Sequence, residues 1–195
     1  GLGESFQVMS GVRVNDVMDP QDVWPEGETA LATMFRHNLW ANLKLFDACV
    51  ALDEAQLAAT AVGTYGSIYD TLNHLVRAAQ GYLFLLTGDS PVARMRREDK
   101  PALAPLRENC RLFDEGLMAV AAGVAPSAMA HSVEEDGRWA LPAGVVLAQA
   151  INHATEHRAH IMTILTQIGI QPPELDCWAF GDRYGAFTPN DESAG

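Results

Sequence analysis

Residues 151–170 read INHATEHRAHIMTILTQIGI and hold three of the six histidines of this chain, His153, His157 and His160. At about 100° per residue, His153 and His157 lie about 40° apart on one helical face, and His160 sits beside them. Apolar residues occupy the same face at three- and four-residue spacing; they are Val146, Ala150, Ile161, Ile164 and Ile168. The pattern predicts a long helix from about Pro142 to Ile168, closed by Gly169, with its imidazoles pointing into the protein.

Three more helices are predicted upstream from apolar residues three and four positions apart. The first covers about residues 28–52, the second begins at Ser67 and ends near Thr87, and the third follows Pro105 and ends at Gly123. Between the third and fourth helices, Asp136-Gly137 separates two short mixed segments, which is a hairpin signal. Four helices with one apolar face each predict an all-α four-helix bundle with a short β-hairpin.

The domain organisation follows from where these patterns begin and end. Residues 1–27 contain prolines, glycine and acids without a sustained period, so we expect an irregular lead-in. Residues 28–170 form the predicted bundle. Residues 171–195 are expected to be an irregular tail whose aromatic residues pack back on the bundle; these are Trp178, Phe180, Tyr184 and Phe187.

Composition narrows the function classes before any motif is considered. Thirteen basic and 25 acidic residues give a formal charge of −12, which disfavours nucleic acids and anionic membranes as partners. The three cysteines are odd in number and form no CxxC pair, so we expect neither disulfides nor a thiolate zinc site. The first ten residues carry no targeting signal, and no apolar run reaches the roughly 20 residues of a membrane span. We therefore expect a soluble, cytoplasmic protein.

The histidine spacing indicates a metal site. A single inward-facing histidine is usually an ordinary core residue, but two at i and i+4 can share one divalent cation. His74 in the second helix is the candidate third ligand, since it lies on a flank with small neighbours. Three neutral nitrogens form an open site in which water, thiol or substrate takes a further position. The chain has no HExxH and no ExxH sequence, which excludes a zincin and a di-iron carboxylate bundle.

The chain resembles the DinB-like family of metal-binding four-helix bundles. Three motifs carry the resemblance: FRHNLWAN at 35–42, Asn73-His74-Leu75, and NHATEHR at 152–158. The resemblance implies a divalent metal ion, zinc or nickel, held by His74, His153 and His157. It also implies a low-molecular-weight thiol as co-substrate, because the family's characterised enzymes transfer thiols such as bacillithiol or mycothiol, or isomerise with mycothiol. It leaves a homodimer open.

Two further histidines are candidate catalytic residues. Many members of the family read His-Arg-Gly-Gln where this chain reads His157-Arg158-Ala159-His160, so His160 is a candidate acid or base. His37 is a second candidate, because the first helix must pack against the others. The alternative for His160 is a buried or rim histidine without a role, and the alternative for His37 is a surface or helix-boundary residue. Arg158 could pair with a carboxylate at the site, and the alternative is a solvated or interhelical salt bridge.

Three functional hypotheses remain open at this point. The first is an enzyme that transfers a thiol to an electrophilic small molecule at a three-His divalent metal site. The second is a metal-dependent hydrolase that uses bound water, because both reactions would use the same three ligands. The third is a non-catalytic metal-binding protein of a stress response. The metal's identity and the substrate are not determined by these residues.

Overall fold

Helices account for most of the computed structural model, which describes residues 23–132 and 139–188. One antiparallel hairpin accompanies them, with Ala130 opposite Leu141. None of the helices in these two segments is long and apolar enough to cross a membrane. In chain order the elements are α1 Ala30–Cys49, α2 Glu54–Leu57, α3 Ile68–Thr87, α4 Leu103–Gly123, β1 Met129–His131, β2 Ala140–Pro142, α5 Ala143–Gln167 and α6 Cys177–Arg183.

The four long helices pack through the apolar faces that the sequence predicts. Helix α1 contacts α4 and α5, and α3 contacts the same two helices. The largest side chains of the shared core are fully buried; they include Phe35, Phe46, Leu72, Phe113 and Ile161. The prediction of a helical fold with a short hairpin is therefore confirmed, whereas the exact four-helix bundle stays a prediction.

The hairpin lies between α4 and α5, where it was expected. Its strands pair over three residues each, and Ala143 N–H then donates to Ala128 O at 2.9 Å as α5 begins. The Asp136-Gly137 turn lies outside the described residues, as does most of the predicted lead-in, residues 1–22. The hairpin therefore leads directly into the helix that carries His153 and His157.

Two short helices were not predicted. Helix α2 has four residues and α6 has seven, and neither is long enough to establish a hydrophobic period. Helix α6 lies in the segment expected to be irregular. Its N-cap is Asp176, whose side chain accepts from Ala179 N–H at 2.8 Å. Its Phe180 is buried with its ring 5.4 Å from that of Trp40 on α1. The segment after residue 170 is thus partly helical.

Ser67 starts α3, the helix that carries His74. Its Oγ accepts from Asp70 N–H at 3.0 Å and donates to the Asp70 carboxylate at 2.9 Å. We expect Ser67→Ala to lower the free energy of unfolding by about 1 kcal/mol, because an N-terminal N–H group loses its acceptor. Urea denaturation followed by circular dichroism measures the change. Thr163→Ala is the control, since this exposed hydroxyl bonds only within α5; an equal loss there would refute the capping role.

Candidate metal centre

His74 on α3 meets His153 and His157 on α5. The Nε2 atom of His153 lies 2.9 Å from Nε2 of His74 and 3.1 Å from Nε2 of His157. One ligand atom from each of the three residues lies within 4.8 Å of the other two. Helix α5 contributes two of them because residues four apart lie on one face, one turn from each other. The structure thus brings together the three predicted ligands.

The two short Nε2–Nε2 contacts of His153 cannot both be good hydrogen bonds between neutral imidazoles. In a neutral imidazole one ring nitrogen donates and the other accepts, so His153 Nε2 can either donate or accept. If His153 Nε2 donates to one neighbour, it has no lone pair to accept from the other. If it accepts, its two neighbours compete for its single lone pair. A cation between the three nitrogens would accept all three lone pairs. The donor set therefore fits a divalent metal ion.

The two short nitrogen–nitrogen separations agree with a shared metal ion. For metal–nitrogen bonds of about 2.0–2.1 Å, nitrogens in one coordination sphere lie about 2.9–3.4 Å apart, and the two short contacts fall in this range. One detail departs from the common arrangement, in which a ligating histidine donates its other N–H to the protein. His157 Nδ1 is buried and has no hydrogen-bond partner among the described residues.

All three imidazoles favour the neutral state that a metal ligand requires. Burial, followed by the positive charge of His157 and then of Arg77 and Arg97, lowers the pKa of His74 to about 4. Burial, followed by the charges of His157 and His74, lowers the pKa of His153 to about 4. The pKa of His157 is also lowered, first by burial and then by His160. Their lone pairs are free at neutral pH.

Tyr65 covers one side of the cluster, and the sequence analysis missed it. Its ring stacks on His74 with centroids 4.2 Å apart and meets His157 edge-on at 5.0 Å. The side chain is 46% exposed, so this wall of the site borders solvent. Tyr65 lies in a loop between Gly63 and Gly66, where no periodicity indicates which way a side chain points. Only the fold places it against the histidines.

The two predicted catalytic histidines lie in different places. His160 borders the cluster: its ring centroid is 5.5 Å from that of His157, and its Nδ1 accepts from Tyr65 N–H at 3.4 Å. His37 lies between α1 and α6, where its Nε2 is 2.7 Å from Leu175 O and its ring packs on Phe180. These contacts place His160 beside the candidate centre and give His37 a packing environment. Catalytic roles for both stay predictions.

Arg158 follows His157 and points into the core. Its guanidinium donates to the Oδ1 atoms of Asn38 and Asn42 on α1, at 2.6 and 2.8 Å. Asn42 in turn donates to the Asp114 carboxylate on α4 at 2.7 Å. Arg158 is 5% exposed and Asp114 is 1% exposed. Of the alternatives for Arg158, the structure favours an interior charge network that ties α5 to α1 and α4.

Burial acts on both charges of this network. It raises the pKa of Asp114 to about 6, although hydrogen bonds from Asn42 and Cys110 and the charge of Arg158 oppose the shift. It lowers the pKa of Arg158 to about 10, against the charge of Asp114. Burial therefore opposes the charged form of both side chains, and each charge favours the ionised form of the other.

Fold and site together define a helical protein with a candidate three-His metal centre at the junction of α3 and α5. The chain belongs to the DinB family, whose model matches residues 27–185. A solved DinB-like protein from Bacillus cereus ATCC 10987 has a similar fold, with a TM-score of 0.56 and 17% sequence identity. The match covers 74% of this chain and 94% of that one. No curated protein matches this chain.

Proposed function

We propose that this protein is a metal-dependent enzyme that transfers a low-molecular-weight thiol to an electrophilic small molecule. The observation that carries the proposal is the convergence of three neutral Nε2 atoms, from His74, His153 and His157, beside the partly exposed Tyr65. A zinc or nickel ion held there would lower the pKa of a bound thiol or water and so supply a nucleophile at neutral pH.

The protein's own groups hold and shield this position. Helices α3 and α5 fix the ligand nitrogens, and the Tyr65 ring limits how His74 and His157 can turn. His160 lies next to them and is the residue we propose for proton transfer to the solvent. The DinB family membership is compatible with this arrangement.

The composition of the cluster favours a thiol over water. Among the described residues, only histidines form the group that could hold a metal, and no carboxylate joins it. Hydrolytic zinc sites with two histidines at i and i+4 commonly use a nearby Glu as general base. A thiol needs no such base, because a metal deprotonates a coordinating thiol outright.

Hydrolysis is the second candidate function. Three neutral nitrogens leave the full double positive charge of the cation in place. A His₃ zinc site of this kind lowers the pKa of its water to about 7 without a carboxylate ligand. Ester or amide hydrolysis without a thiol would then be the reaction.

Metal content tests the centre directly. We expect protein purified without a metal-affinity column to hold close to one zinc or nickel ion per chain, and His153→Ala to hold almost none. The control is His131→Ala, because His131 is exposed on β1 and lies outside the cluster. Elemental analysis by mass spectrometry gives the counts. Equal metal in wild type and His153→Ala, or none in either after dialysis against zinc, would refute the centre.

Turnover separates the candidate functions. Metal-loaded protein is incubated with an activated aryl chloride and with bacillithiol, mycothiol or cysteine. In the expected reaction a carbon–sulfur bond forms, chloride leaves with the bonding electrons, and the thiol proton passes to solvent. Thiol-dependent product that is lost in His153→Ala supports transfer. Hydrolysis of esters without thiol favours the second candidate, and metal without turnover in either assay contradicts both.

A further inference from the structure

A cavity of about 300 Å³ opens beside His74. It has room for a molecule of roughly ten non-hydrogen atoms. Tyr65 belongs to both the candidate metal centre and the cavity, because its ring stacks on His74 and the residue also lines the cavity. The lining side chains from α3 flank His74 on the same helix. The lining includes Tyr65, Asp70, Asn73, Arg77, Arg97 and Lys100.

The lining is cationic, although the whole chain carries a charge of −12. Lys100 Nζ pairs with the Asp70 carboxylate at 2.8 Å. That bond and the hydrogen bond from Ser67 lower the pKa of Asp70, so its negative charge is matched by Lys100. Arg77 and Arg97 form no ion pair or hydrogen bond within the described segments. The two guanidinium groups therefore have no hydrogen-bonded counterion at the cavity in the described part of the chain, although the charge of Arg97 also helps to lower the pKa of Asp70.

Two buried polar atoms at this cavity also lack a partner. They are Asn73 Oδ1 and Arg77 Nε, and the Asn73 side chain is nearly fully buried, with the residue 3% exposed. An unsatisfied buried polar group costs about 1–3 kcal/mol. Arg77 Nε is a donor that an anion at the wall of the cavity would satisfy, whereas Asn73 Oδ1 is an acceptor and would need a donor from elsewhere on the ligand.

The segment that supplies Arg97 and Lys100 is held against α3. Asn73 Nδ2 donates to Asp99 O at 3.0 Å, and the Tyr69 hydroxyl donates to Pro101 O at 2.6 Å. With the Lys100–Asp70 pair, these bonds fix residues 97–101 at three points. The backbone next to Arg97 and the Lys100 side chain are therefore placed against α3 before any ligand binds, which reduces the ordering cost of binding.

We propose that this cavity binds the carboxylate of the small molecule that reacts at the three-His centre. The planar guanidinium groups of Arg77 and Arg97 match a carboxylate in shape and charge. The link to the reaction rests on the proposed function, whereas binding of the anion does not.

Calorimetric titration with succinate tests the cavity. We expect succinate to bind wild type and His153→Ala alike, and the neutral succinamide to bind neither. Arg97→Gln and Arg77→Gln should each weaken succinate binding about tenfold or more, the loss of one charge-assisted contact. Arg94→Gln is the matched control, since it removes the same charge from the same connecting segment but does not line the cavity.

The outcomes distinguish this inference from the proposed function. Succinate binding by His153→Ala with no metal in any variant would leave the cavity supported and refute the centre. Equal binding by Arg97→Gln, Arg94→Gln and wild type would refute the cavity, whatever the metal content. Arg97 is exposed, so Arg97→Gln stays informative if Arg77→Gln fails to fold. Tighter binding of inorganic phosphate than of succinate would overturn the carboxylate assignment.

Discussion

Arg158→Ala is expected to lower the free energy of unfolding by about 3–5 kcal/mol, the cost of leaving a buried charge without its opposite charge. Asp114 would lose the positive charge that helps to lower its pKa, and the Oδ1 atoms of Asn38 and Asn42 would lose their donor. Because stabilities of single domains are about 5–15 kcal/mol, such a loss is a large part of the total. Urea denaturation at pH 7 measures it.

The control for this prediction is a surface arginine. Arg107 pairs with Asp47 at 2.7 Å, but both side chains are partly exposed, so Arg107→Ala should cost less than about 1 kcal/mol. The double variant Arg158→Ala/Asp114→Ala should lose less than the sum of the two single variants, since the charges depend on each other. Equal losses for Arg158→Ala and Arg107→Ala would show that the interior network contributes no more than an exposed pair.

Zinc is expected to raise the stability of the wild type by about 4 kcal/mol when its free concentration is 1,000 times the dissociation constant. The reason is that α3 and α5 present three ligands together only in the folded chain. Thermal unfolding with and without zinc measures the shift. His153→Ala should show almost no shift, whereas His131→Ala should behave as wild type. A wild-type melting temperature that ignores zinc would contradict the expectation.

The same stabilisation should disappear in acid. The folded pKa values of His74 and His153, about 4, lie below the usual value of 6.5, so the fold favours the neutral imidazoles. A lowered folded pKa gives stability that is present above pH 6.5 and is lost as the pH falls towards 4. Protons then also compete with zinc for the nitrogens. The zinc-dependent shift should therefore shrink over this interval and be smallest near pH 4.

The long helices and the three ligands were predictable because local rules fix them. The stripe spacing defines α5, and the i, i+4 relation puts His153 and His157 on one face before any tertiary contact is known. Asp114 and Arg158 also carried a signal, which the sequence analysis used for Arg158 alone. Each occupies the buried stripe of its helix, Asp114 between Cys110 and Leu117. Opposite charges on two such stripes indicate an interior pair.

The rest of the site depends on contacts between distant segments. Tyr65 reaches His74 only because the loop before α3 folds over it, and loops have no period that reports direction. Arg97 lies in a charged connection without a hydrophobic period, and the hydrogen bond from Asn73 to Asp99 holds this connection beside the cavity. Helix α6 is too short to be predicted from its sequence pattern, and the packing of its Phe180 on α1 is a contact between distant segments.

The attachment of residues 97–101 to α3 makes this connection easier to change by substitution than the helices that carry the histidines. The three histidines stand on helices whose core would resist change, whereas Arg97 and Lys100 stand on a connection that is held by three bonds and is otherwise exposed. Substitutions in this connection would therefore change the charge at the proposed carboxylate site while the three-His cluster stays the same. Replacing residues 97–101 by a loop of different charge would give the proposed site a different ligand preference beside the same three histidines.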